Sequence, residues 1–158
     1  MILNRQRTVR VVRRPLELFL RRVQQQLGLS ATQVAVCFVS DAEIARMNQA
    51  FRKKKGPTDV LSFPALSRRK PVRLPRPPRL AASPVSKDSA NGRAYLGDIA
   101  ISPATAKRNA RKYRRTLPAE LQILMLHGVL HLLGYDHETD RGQMDRVEQR
   151  LRRRLGLA

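Results

Sequence analysis

The 158-residue chain has no tryptophan and a single cysteine, Cys37. One thiol excludes an internal disulfide and points to a reducing, cytoplasmic compartment. Cys37 sits in the apolar run Val34 to Val39, where a buried, inert thiol is the expected reading. No apolar stretch reaches the roughly 18 residues needed to cross a bilayer, so a membrane span is not expected. No internal repeat is visible. Acids are scarce: 12 against 32 basic residues, a formal net charge of +20. That excess favours a polyanionic partner, nucleic acid before an acidic membrane surface. A general enrichment in arginine accounts for it equally well, so charge alone decides little. The arginine-rich, acid-poor first 40 residues superficially resemble a transit peptide. They also read as the domain's own first strand and helix, and that reading is preferred.

Histidine is scarce too, and its placement carries the information. All three histidines, His127, His131 and His137, fall within Leu124 to Asp140, LMLHGVLHLLGYDHETD. The first two are four apart and project from one face of a helix. Gly134 can end that helix in a left-handed conformation and let the chain return His137 toward the pair. Three imidazoles meeting this way cap a zinc-type ion and leave a position open, the arrangement of a catalytic rather than a structural metal. A lone histidine in an apolar helix is usually a satisfied core residue. Two buried imidazoles need polar partners, however, and a shared metal provides one.

At 42% apolar residues the chain is too hydrophobic for disorder and long enough for one domain with a real core. Met1 to Gln6 is a weak strand. Pro15 to Leu27 reads as a helix with Leu16, Phe19, Leu20, Val23 and Leu27 inward and Gly28 past its end. Gln33 to Val39 is a β-branched strand apolar on both faces. Ser40 and Glu43 form a capping box for a helix ending near Arg52, with Ile44, Met47 and Phe51 expected to face the core. Val60 to Phe63 and Leu96 to Ile101 are further strands. Ser102 and Pro103 open a helix to about Tyr113 with a basic face: Lys107, Arg108, Arg111, Lys112, Arg114 and Arg115. Pro118 begins the apolar, central histidine helix. Asp140 is expected to cap a last helix to Leu155, with Met144, Val147 and Leu151 inward. The expectation is a single α/β domain over 1–158, with a small, mostly parallel mixed sheet of about four strands and about five helices. Residues 67–93 have no period and hold five prolines, with six basic residues between Arg68 and Arg79. They read as a basic, proline-rich loop insertion, either a flap over an anionic substrate or a solvated arm.

The histidine spacing matches the metzincin protease pattern H-E-x-x-H-x-x-G-x-x-H with one departure. Gly128 stands where the proteases carry their general base. The metal geometry survives the change; the peptidase chemistry does not follow. Three strings together, HGVLHLLGYDH (127–137), FRKKKGPTDVLSFP (51–64) and LGDIAIS (96–102), resemble the YbeY family of metal-dependent endoribonucleases over essentially the whole chain. The resemblance implies an α/β fold and cleavage of single-stranded RNA. It further implies a role in maturing the 3′ end of small-subunit ribosomal RNA and in ribosome quality control, with ribosome-assembly proteins as possible partners. It assigns one Zn²⁺ to His127, His131 and His137, and catalytic roles to His127 and Arg52. Without it, Arg52 would read as a helix-end arginine opposing the dipole. For the proton acceptor, Asp59, Asp98, Asp136 and Glu138 are candidates. Asp136 is also a candidate to orient an imidazole, while Asp59 and Asp98 suit turn or cap roles. Tyr135 and Phe63 could stack bases, and Met144 could lie beneath the metal, although packing explains each. A non-enzymatic alternative is an RNA-binding assembly factor whose metal is structural; it predicts binding without cleavage.

Overall fold

The computed structural model describes residues 1–65 and 94–157, so the proposed insertion at 67–93 lies outside the described residues. In chain order the elements are β1 (Ile2–Asn4), α1 (Arg13–Gln26), β2 (Thr32–Phe38), α2 (Asp41–Arg52) and β3 (Val60–Pro64). β4 (Ala94–Ile101), α3 (Pro103–Lys112), α4 (Leu117–Leu132) and α5 (Gln143–Leu155) follow. The strands form one sheet in the order β1-β2-β4-β3. β1–β2 and β2–β4 are parallel, and β3 runs antiparallel to β4 at the edge. This is the mixed α/β domain expected from the sequence.

Alternation along the strands divides the core in two. Val34, Val36 and Phe38 of β2 and Ile99 and Ile101 of β4 point to the larger side, where they meet Leu16, Phe19, Leu20 and Val23 of α1, the apolar body of α4, and Met144, Leu151 and Leu155 of α5. Val39, Leu61 and Ala100 point the other way and are covered by Ile44 of α2, with Cys37, Met47 and Phe63 packed alongside. β2 is therefore covered on both faces, but unequally: Ala35 and Cys37 remain half-buried.

α4 has almost no polar face because it is wrapped on several sides, by β3, β4, α1, α3 and α5. Thr116 starts it by accepting the Ala119 N–H at 3.3 Å. Gly128 faces the sheet where α4 comes close to Ile99 of β4. A Cβ there would lie 2.8 Å from Ile99 Cγ2 and 2.9 Å from Ile99 Cδ1, so no larger residue fits without displacing a β-branched core side chain. The position where the protease pattern needs glutamate is thus a packing contact.

Ser40 Oγ accepts Glu43 N–H and Ser102 Oγ accepts Thr105 N–H, the N-caps expected on α2 and α3, but the Glu43 carboxylate pairs with Arg5 at 3.2 Å instead of completing the expected capping box. Asp41 ties the two helix starts together, accepting from the Ser102 and Thr105 hydroxyls and from Arg108. Arg108 and Arg115 belong to the basic face read from the sequence, yet each is paired, with Asp41 and with the buried Glu120 respectively.

One expected core residue is elsewhere. Ile44 is buried and Met47 half-buried, but Phe51 is 68% exposed. Period predicts the side of a helix a residue occupies; it does not say how far the partner layer extends. By its last turn α2 has passed the small cluster it covers, and the Phe51 ring lies edge-on against Phe63 instead, centroids 4.9 Å apart.

Candidate metal centre

Successive turns of α4 carry His127 and His131. At the helix end Gly134 adopts φ +96, and two hydrogen bonds close a Schellman motif: Gly134 N–H to His131 O at 2.9 Å and Tyr135 N–H to Leu130 O at 3.1 Å. The chain reverses there. Asp136 then accepts the Glu138 N–H at 3.0 Å and the Thr139 hydroxyl at 3.2 Å, which fixes the loop that returns His137. One ligand atom from each imidazole lies within 4.8 Å of the others. His127 Nε2 and His131 Nε2 face each other at 3.0 Å.

Behind His127 lies a group the sequence reading missed. His127 Nδ1 is 2.8 Å from the buried carboxylate of Glu148 on α5, and Glu148 also pairs with Arg152 one turn on. A carboxylate accepts only, so Nδ1 carries the proton and donates, and the Nε2 lone pair is left facing the cluster. Burial works to raise the Glu148 carboxyl, but the His127 hydrogen bond and the Arg152 charge outweigh it and hold it below its ordinary range. His131 is pushed below the ordinary imidazole value, first by burial and then by the neighbouring His127 and His137, so its neutral, ligating form is favoured at pH 7.

The arrangement fits a zinc-type ion. At a Zn–N length near 2.0–2.1 Å, tetrahedral donors lie about 3.4 Å apart, close to the 3.0 Å between the facing Nε2 atoms. Among the described residues the donor cluster consists of the three histidines alone, and they line a cleft of about 700 Å³. Arg52, Asp59, Phe63, Tyr135, Asp136 and Glu138 share it.

The remaining expected site residues separate cleanly. Arg52, the last residue of α2, reaches across to Glu138 Oε1 at 3.3 Å; Lys54 approaches the same oxygen at 3.9 Å. Asp59 is occupied as a turn acid, accepting from the Val60 N–H and from Asn109 Nδ2. Asp98 does not line the cleft; it accepts the Tyr95 hydroxyl at 2.6 Å, which, after burial, helps raise the phenol's pKa. Asp136 bonds within its own loop, to Glu138 N–H and the Thr139 hydroxyl, while the carboxylate that meets an imidazole nitrogen is Glu148, at His127 Nδ1. Tyr135 packs partly against the core. Met144 is fully buried in the core, and Asp140 caps its helix through the backbone N–H groups of Gly142, Gln143 and Met144. One sequence signal for Glu148 existed. It is an acid set into the inward stripe Met144, Glu148, Leu151, Leu155 of α5.

The sequence profile of the family described as Endoribonuclease YbeY matches residues 1–156. An endoribonuclease YbeY of Solibacter usitatus is 42% identical over 147 residues, covering 92% of this chain and 82% of the relative. One of Koribacter versatilis is 38% identical over 157 residues, covering 99% and 86%. The solution structure of a Thermotoga maritima protein superposes with a TM-score of 0.59 at 26% identity, covering 98% of this chain and 89% of the other. With matches of this extent in both sequence and fold, the chain belongs to the Endoribonuclease YbeY family.

Proposed function

We propose that this chain is a zinc-dependent endoribonuclease that cuts single-stranded RNA. Its substrate is the 3′ end of small-subunit ribosomal RNA, and it acts in the cytoplasm in rRNA maturation and ribosome quality control. The observation that carries the reading is the convergence of three imidazole donors within 4.8 Å on a cleft that Arg52 also lines. His127, His131 and His137 would hold the ion. Such an ion, when bound, would neutralise charge on a phosphoryl oxygen and lower the pKa of a water far enough to make it a nucleophile near neutral pH.

The protein's own contributions follow from its contacts. Glu148 fixes the His127 tautomer through Nδ1, so that Nε2 is available without reorganisation. Arg52 offers a guanidinium fork that matches two phosphate oxygens and stabilises the charge that develops there. In the free protein that fork is held by Glu138, so an arriving phosphate replaces one carboxylate with another anion rather than meeting a bare cation. Displacement releases the Glu138 carboxylate at the cleft wall. Of the four candidate acids it is the one bonded only through exposed side-chain cations, and it is assigned as acceptor of the proton from the attacking water. The protease alternative loses further ground. The Ile99 contact leaves no room for a side chain at position 128.

The test is cleavage of a 3′-extended small-subunit rRNA precursor and of an unstructured RNA by the purified protein, with and without a chelator, and by His131→Ala and Arg52→Ala. The reading predicts cleavage that is abolished by chelation and by His131→Ala and strongly reduced in Arg52→Ala. Cleavage indifferent to chelator and to His131→Ala overturns it. RNA binding without any cleavage supports the assembly-factor alternative instead.

A further inference from the structure

Of the four phenylalanines in the chain, Phe19 and Phe38 are buried in the core, Phe63 is half-buried at the edge of the smaller cluster, and Phe51 is exposed. Phe51 is the only phenylalanine among the large exposed apolar side chains of the described residues. A solitary exposed apolar residue normally needs no explanation. This one differs in three respects. It is locked edge-on to a second ring, at 4.9 Å between centroids and 70° between planes. Both rings line the same cleft as the three histidines. And the chain continues from it directly into the exposed basic run Arg52 to Lys55.

We propose that Phe51 and Phe63 form a stacking corner that takes one unpaired nucleobase beside the cleavage site and so selects single-stranded over duplex RNA. Two rings nearly perpendicular present one face and one edge to a flat ligand, the two favourable ways for an aromatic group to be met. The corner lies along β3, the sheet's edge strand, which forms a wall of the cleft between α2 and α4. The Arg52–Glu138 pair spans from the end of α2 to the residue next to His137. A strand whose phosphate occupies the Arg52 fork can therefore lay its adjacent base on the rings, with the following phosphates near Lys53 to Lys55. Base–aromatic stacking contributes about 1–3 kcal/mol per base, roughly 5- to 150-fold in affinity. It requires a base that can leave its own stack, which a duplexed base does only at the cost of unpairing. The basic run attracts any polyanion, so discrimination between single and double strands has to come from an uncharged contact, and the two rings provide one.

This inference rests on the reading of the cleft as an RNA site, and the experiment separates the two. The chain has no tryptophan, so Phe51→Trp introduces a sole indole fluorophore at the corner. Metal-free Phe51→Trp protein is titrated with a single-stranded oligoribonucleotide, its duplex and heparin. In parallel, Phe51→Leu and Phe63→Leu are compared with the wild type for single-strand binding and, with metal restored, for KM and kcat; circular dichroism verifies the fold of each. The expected result is strong indole quenching by the single strand only. Phe51→Leu should weaken single-strand binding and raise KM about 5- to 150-fold, leave duplex binding unchanged, and alter kcat little. Equal quenching by heparin or duplex overturns the inference, as does a folded Phe51→Leu protein that binds single strands like the wild type. Wild-type cleavage in the same preparations reports on the proposed function separately. Quenching with no cleavage leaves the stacking corner standing and removes the nuclease.

Discussion

Replacing Glu148 by glutamine removes one negative charge and almost no volume from a position 7% exposed in its side chain. The amide oxygen can still accept from His127 Nδ1, but its NH2 group is then turned toward Arg152, where the carboxylate had made an ion pair. Two effects are combined, a less basic His127 and an uncompensated guanidinium. Loss of an outer-shell carboxylate behind a metal-bound histidine typically lowers metal affinity 10- to 100-fold, about 1.4–2.7 kcal/mol. The double variant Glu148→Gln/Arg152→Met removes the stranded cation and isolates the first effect. Because Glu148 is held below its ordinary carboxylate range, it is charged throughout the working pH interval, and the comparison at pH 7.5 needs no titration correction. Zinc affinity is measured by competition with a fluorescent chelator, with far-ultraviolet circular dichroism as the control for folding. Both variants should bind zinc at least tenfold more weakly than the wild type. Wild-type affinity in the folded double variant would refute the claim that Glu148 prepares His127 as a ligand.

Asp41→Asn should lower thermal stability at pH 7 by roughly 1 kcal/mol, about 2–4 °C in Tm for a chain of this size. Burial opposes ionisation of Asp41, but the bonds from Ser102, Thr105 and Arg108 prevail and its folded pKa is depressed. Its contribution is therefore complete above the ordinary aspartate value near 4 and is lost as pH falls through the lower folded value. The Tm difference from the wild type should accordingly close on acidification, and a difference constant with pH would contradict this. Gly128→Ala should destabilise by roughly 1–3 kcal/mol through overpacking against Ile99, read from urea denaturation midpoints. Glu138→Gln should reduce kcat on single-stranded RNA by about 10²-fold or more, with KM unchanged or lower because Arg52 is freed. A raised KM at normal kcat would remove Glu138 as proton acceptor.

The parts of the site that were legible in the sequence are those encoded by local spacing. The i, i+4 histidine pair, the left-handed Gly134 and the return to His137 all lie within one helix and its cap, and the sheet followed from short β-branched runs separated by capped helices. What escaped was set by packing between distant segments. Glu148 reaches His127 only because α5 docks on α4, and its one trace was an acid within an apolar stripe. Phe51 kept helical phase with Ile44 and Met47, but phase cannot reveal that the layer beneath α2 ends before the last turn. The sequence shows at Gly128 only the absence of a glutamate; the close approach of α4 to Ile99 at that position required the sheet to be in place. Arg108 and Arg115 looked like free members of a basic face because their acidic partners come from outside α3.

The central claim is that three imidazoles hold a catalytic ion with a position left open. X-ray absorption at the zinc edge, on protein whose metal content has been quantified by mass spectrometry, tests it most directly. The expected result is about one zinc per chain, coordinated by three imidazole nitrogens and one exchangeable light-atom ligand, with loss of bound metal in His131→Ala. A metal-free protein that cleaves RNA, or a shell closed by a fourth protein side chain, would contradict it.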